Sequence, residues 1–182
     1  VLNKIHFSPA LSSEKQTAMN GGFRYAPATR IYIQFNNRFW ENESLNGWGN
    51  TDLPEEIWQP SWDMTGNTGV LMSYLRWSAA EDMDALNEDE RNNAVLNRWE
   101  NIFEGSINNF DKGVSKSWVL DEWSKGAWAS PTTSQNETLN ESIAQIEGRI
   151  HFAGEHASND RGWMQGALFS GLHAATEIKN VN

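Results

Sequence analysis

Arg149-Ile150-His151-Phe152-Ala153-Gly154-Glu155-His156-Ala157-Ser158-Asn159-Asp160-Arg161-Gly162-Trp163-Met164-Gln165-Gly166-Ala167-Leu168-Phe169-Ser170-Gly171-Leu172-His173-Ala174-Ala175 is the stretch whose reading decides the fold. Its apolar opening predicts a strand over 149–153 that stops at Gly154 beside the Glu155 carboxylate. A polar loop follows, and a helix opens at Gly162 and runs to Lys179. The first backbone N–H groups of a helix have no partner inside it, and that end carries partial positive charge. The N–H groups of Gly162, Trp163, Met164 and Gln165 are therefore expected to cradle an anion or a carbonyl edge at the end of the strand. On the same helix Gly166, Ser170 and Ala174 form a row of small residues, with Ala167, Gly171 and Ala175 beside it. Such rows let a helix lie close against a sheet or a flat ligand.

Working outward, Val1 to Phe7 reads as the exit of a strand ahead of Ser8-Pro9, and Ser12 to Met19 as a short helix. Thr29 to Phe35 is predicted as a strand with Ile31, Ile33 and Phe35 on its core face and Arg30, Tyr32 and Gln34 on the other. Residues 42–60 look like loop and carry Trp48 and Trp58. Gly69 to Leu75 is a second strand. Asn87 or Asp89 caps a helix over Glu90–Phe103, whose stripe of Ala94, Val95, Arg98, Trp99, Ile102 and Phe103 fits ordinary core packing. Ser115 to Ala129 reads as strand then turn, and Glu137 to Ile146 as a helix. Strands interleaved with helices define a mixed α and β architecture of the α+β kind, without internal repeats.

Composition narrows the function. Fourteen Lys plus Arg against 24 Asp plus Glu give a net charge of -10 in 182 residues, which repels phosphate backbones and anionic membranes. No window approaches the roughly 18 apolar residues of a spanning helix, so a soluble chain is expected, with its compartment open. The absence of Cys excludes disulfides, thiolate nucleophiles and Cys-held metals, so redox chemistry would need an organic cofactor or a metal held by N and O. Ten Trp suggest a large core or an aromatic-walled cavity for a flat ligand.

These motifs resemble the C-terminal part of the flavin-dependent amine oxidases, and among them the L-amino acid oxidases. The resembling residues are Phe152-Ala153-Gly154-Glu155-His156, Gly162-Trp163-Met164, Gly166-Ala167, Ser170-Gly171 and Ala174-Ala175, supported by Thr29 to Tyr32 leading to Phe39-Trp40, Gly69 to Tyr74, and Trp118 with Asp121 to Trp128. The resemblance implies half of a two-domain flavoprotein, incomplete without an upstream chain. Residues 1–12 would end one segment of an FAD-binding domain, 13–147 would form a substrate-binding domain on a mixed sheet, and 148–182 would return to the FAD-binding domain.

By the same resemblance Gly154, Glu155, Gly162, Trp163, Met164, Gln165, Gly166 and Ala167 would bind FAD. Gly162, Trp163 and Tyr74 would line the substrate site, Tyr74 as a carboxylate ligand. Arg30 stands where most of the family has a Lys that holds a water near the flavin, and with Trp163 it is the candidate catalytic residue. The implied reaction turns an L-amino acid into a 2-oxo acid and ammonia, with dioxygen reduced to hydrogen peroxide. A glycine-rich dinucleotide fingerprint and the Arg this family sets against the substrate carboxylate are both absent from the sequence. Their absence implies a processed precursor, with a partner chain upstream that carries them and a homo-oligomer of the assembled unit.

Three rivals stand beside this reading. One is a flavin monoamine or polyamine oxidase. A metal hydrolase could use His151, Glu155 and His156, but these lie on a strand-to-loop passage rather than one turn apart on a helix, so no metal is expected. A ligand-binding module could use Trp48, Trp58 and Trp62, but would be nearly all β, without a glycine-opened terminal helix.

Overall fold

The structure, a computed structural model, describes residues 2–53 and 55–181. In chain order it forms α1 (Ser13–Thr17), β1 (Tyr25–Ala26), β2 (Ala28–Phe35), β3 (Gly49–Asn50), β4 (Glu55–Trp58), β5 (Gly69–Arg76), α2 (Ser78–Asp84), α3 (Glu88–Trp99), β6 (Phe110–Ser117), β7 (Trp128–Ala129), α4 (Thr133–Ala144) and α5 (Met164–Val181). This is the mixed α and β class read from the sequence. Two compact units divide it, Pro27–Glu122 and Val1–Ala26 with Trp123–Asn182. These limits differ from the boundaries at 12/13 and 147/148, because α1 packs on α4 and β1 pairs with β7.

In the 27–122 unit a five-stranded sheet runs in the order β3-β4-β5-β2-β6, with every pairing antiparallel where a mixed sheet was expected. Only β3–β4 and β4–β5 are neighbours in both the chain and the sheet; β2 lies between β5 and β6, which are themselves joined through α2 and α3. Alternation along β2 sends Ile31, Ile33 and Phe35 into the core and leaves Arg30, Tyr32 and Gln34 partly exposed. Helices α2 and α3 cover the inner face, where Phe35, Trp40, Leu71, Leu75, Val95 and Trp99 are buried together. The Asn87 side chain accepts from the Glu90 N–H while Glu90 accepts from the Asn87 N–H, a reciprocal cap that starts α3 at Glu88. The segment 42–60 is not all loop: β3 and β4 lie in it, too short and too polar to declare an alternating pattern. Pro54 of that segment lies outside the described residues.

In the other unit Phe23, Ala129, Leu139 and Ile143 form a small core. Buried Lys15 donates to the carbonyls of Ile143 and Gln145, both at 2.8 Å, and so satisfies the end of α4. Burial lowers the Lys15 pKa, opposed by Glu147. Two expected strands do not form. Leu2–Lys4 is a 3-10 turn, and Val1 lies outside the described residues. Of 149–153 only Ile150 bridges, to Glu147, in an isolated antiparallel pair. Apolar β-branched residues mark a strand only where a neighbour supplies the ladder, and none among the described residues lies alongside.

Candidate functional site

Gly154, Glu155 and the opening of α5 form one hydrogen-bonded assembly. The Glu155 carboxylate accepts from the Ala129 N–H through Oε1 and from the Gly162 N–H through Oε2, both at 2.7 Å. It thereby holds β7 and the start of the helix at fixed separation. Gly154 has φ 125°, a backbone state that disfavours side chains, and its N–H donates to Ser170 Oγ at 2.9 Å. The buried row Gly166, Ser170 and Ala174 packs against the chain's own loop: a Cβ on Gly166 would stand 2.0 Å from the Asp160 carbonyl oxygen. The N–H groups of Met164, Gln165 and Gly166 find no acceptor among the described residues. Around them Trp163 is 70% and Met164 85% exposed, with Leu168, Phe169 and Leu172 continuing the apolar face.

Beside this assembly the His156 ring lies 4.7 Å from the ring of Tyr25 and 6.0 Å from that of Phe23. Burial lowers the His156 pKa, Glu155 opposes that shift and Arg161 adds to it. The same burial, with the Glu155 charge, raises that of Tyr25. A histidine whose folded pKa is depressed binds more protons unfolded, so stability falls as pH drops below its ordinary value of about 6.5. The melting temperature of the protein is expected to decline from pH 7 to pH 5, and less steeply in His156→Phe. Parallel slopes for the two would remove His156 from the account. His151 pairs instead with Glu177 at 3.0 Å, as does His173 at 3.1 Å, so His151, Glu155 and His156 do not converge. Among the described residues no group of three His, Asp or Glu is placed to hold a metal ion.

The 27–122 unit carries the second candidate set, on the sheet face opposite α2 and α3. Arg30 and Tyr74 are direct cross-strand partners, with the guanidinium carbon 4.7 Å from the phenol ring. Tyr74 meets the edge of Trp58 at 6.3 Å, and Trp58 stacks on Trp48 at 5.7 Å. Arg76 is neutralised by Glu56 at 2.7 Å, and Lys116 pairs with Asp121. Arg30 forms no ion pair or hydrogen bond among the described residues, and its Nε is buried.

Sequence reasoning missed Glu55. Its carboxylate is 0% exposed and accepts from Ser73 Oγ, from Thr51 Oγ1 at 3.0 Å and from Arg98 Nη2 at 3.4 Å. The signal was Arg98, a charge inside an otherwise apolar helical stripe, which requires a buried partner.

The model of the family described as "Flavin containing amine oxidoreductase" matches residues 1–179. This chain belongs to that family. Among curated proteins it is 34% identical to an L-amino-acid oxidase of Siganus canaliculatus, over 96% of the chain and 34% of that protein. It is 31% identical to one of Bungarus fasciatus, over 100% of the chain and 35% of that protein. A putative L-amino-acid oxidase of Bacillus subtilis (strain 168) is 36% identical over 86% of the chain and 34% of its own length. The chain thus spans about a third of the length of these relatives. A cyclohexylamine oxidase from Brevibacterium oxydans shares the fold with TM-score 0.81 and 21% identity, over 97% of this chain and 40% of that one. A redesigned putrescine oxidase does so with TM-score 0.85 and 19% identity, over 99% and 40%.

The cofactor of the family is a flavin, FAD. The residues present fit it: unspent N–H groups at the start of an 18-residue helix suit a carbonyl-rich ring edge, and exposed Trp163 and Met164 suit a flat apolar one. No helix among the described residues is long and apolar enough to cross a membrane.

Proposed function

We propose that this chain is the C-terminal part of an FAD-dependent L-amino acid oxidase, working with an upstream chain of the same precursor that carries the dinucleotide fingerprint. The observation that carries the reading is Tyr74, a phenol without a hydrogen-bond partner among the described residues, on the helix-free face of the sheet, in a chain 34% identical to an L-amino-acid oxidase. When bound, FAD accepts the electrons of the amine, and dioxygen takes them on to hydrogen peroxide.

The chain's own residues bind and orient. The N–H groups of Met164, Gln165 and Gly166 would meet the electron-rich edge of the cofactor, where a helix N-terminus favours negative charge, while those of Gly162 and Ala167 are spent on Glu155 and Trp163. Glu155 keeps Gly162 in place and has lone pairs left for a cofactor hydroxyl. Trp163 walls the substrate beside Gly162 and excludes water. Tyr74 donates its O–H to the substrate carboxylate, and no side chain here is needed as a general base if the amine arrives neutral. Gly154 gives the turn that brings Glu155 to both of its donors.

The test compares turnover of an L-amino acid with that of its decarboxylated amine by the full-length holoenzyme. Preference for the amino acid is expected, and Tyr74→Phe should raise KM for it about ten- to a hundredfold, the worth of one hydrogen bond to a charged group. Flavin content should stay unchanged. Preference for the amine would make the enzyme a plain amine oxidase.

A further inference from the structure

We propose that Arg30 is an anion anchor, taking the substrate carboxylate jointly with Tyr74, rather than a holder of water beside the cofactor. The proposal rests on the amino acid oxidase reading above and assigns the carboxylate a residue of this chain beyond Tyr74. Four cations, Arg30, Arg76, Lys112 and Lys116, occupy one face of the sheet: Arg76 is spent on Glu56 at 2.7 Å and Lys116 on Asp121, and Lys112 is exposed to water at the far end of β6. Arg30 is not spent, although the chain has 24 Asp and Glu.

Its cross-strand neighbours sharpen the point. On one side β6 sets Lys116 opposite it, a like charge; on the other β5 sets Tyr74, whose ring faces the guanidinium at 4.7 Å. A guanidinium does not lose its proton, so a partly buried one with an orphaned, buried Nε is stable only with an anion or water supplied from outside. The phenol ring holds the guanidinium from one side, and a planar fork matches a carboxylate with two parallel N–H donors. The Tyr74 hydroxyl is also without a partner among the described residues, so two unspent donors stand on neighbouring strands, a pair of the right chemistry for one carboxylate.

The experiment uses the full-length holoenzyme and benzoate, whose binding is read from the flavin absorbance. Arg30→Met should raise the benzoate Kd and the amino acid KM about ten- to a hundredfold, and the amine KM at least tenfold less than that of the acid. Arg30→Lys, which keeps the charge without the fork, should recover part of the loss. Unchanged benzoate affinity with slower reoxidation by dioxygen would overturn the proposal in favour of the water-holding role. So would equal losses for acid and amine. Should the wild type oxidise only amines, the amino acid reading fails by itself, and Arg30-dependent benzoate competition would still support the anchor.

Discussion

Gly166→Ala is expected to strip the enzyme of most of its flavin, while Gly171→Ala, one and a half turns along the same helix, leaves it intact. Helix propensity alone favours alanine at both positions by roughly 1 kcal/mol. Space decides otherwise at the first. A Cβ there would stand 2.0 Å from the Asp160 carbonyl oxygen and 2.9 Å from Ser158 Oγ, whereas nothing lies within 4 Å of one at Gly171. The obstacle at Gly166 is backbone and cannot rotate away, so the loop before α5 must shift by about an ångström, and overpacking of this kind costs about 1–3 kcal/mol.

The shift would act directly on the proposed cofactor site. Gly162 sits in the displaced segment, and its N–H bond to Glu155 fixes where the helix begins. The ratio of flavin to protein absorbance in the purified full-length enzyme, with a thermal melt of each variant, gives the comparison. Equal flavin content in the two variants would show that the close approach of the loop to α5 does not position the cofactor.

How far the sequence could be read depended on whether each signal was local. Thr29 to Phe35 declared itself by alternation because one side of β2 is buried and the other is not, and Asn87 with Glu90 declared the start of α3 within one turn. The run 149–153 had the same local signature as a strand and failed, since strand formation depends on a neighbour the run itself does not encode. β4 was invisible for the opposite reason: its four residues alternate a buried carboxylate with a partly buried one, so polarity hid its burial. The bond from the Gly162 N–H to Glu155 joins two residues that the sequence set at the two ends of one loop, although the strand expected before that loop does not form. The stacking of Arg30 on Tyr74 was not legible, because it depends on a register between strands some forty residues apart.

Arg98→Met should be among the most destabilising single substitutions in the 27–122 unit. Glu55 is wholly enclosed, and of its three donors only Arg98 brings charge. Removing one partner of a buried ion pair leaves the other uncompensated, at about 3–5 kcal/mol, where replacing both by groups that fit is close to neutral. The double substitution Arg98→Met with Glu55→Gln should therefore recover more than half of the loss, because an amide oxygen still accepts from Ser73 and Thr51.

The consequence reaches the other side of the sheet. Glu55 and Ile57 point inward along β4, while Glu56 and Trp58 point outward to Arg76 and Tyr74. Loosening β4 thus releases the ion pair that neutralises Arg76 and the aromatic edge that backs Tyr74. Arg98→Met is expected to raise KM for the proposed amino acid substrate as well as to lower the melting temperature, though Arg98 lies on the covered side of the sheet. Thermal melts and Michaelis kinetics on the single and double variants test both arms. A single variant as stable as the wild type would mean that Glu55 tolerates burial without the guanidinium; lost stability with unchanged KM would uncouple β4 from the Tyr74 face.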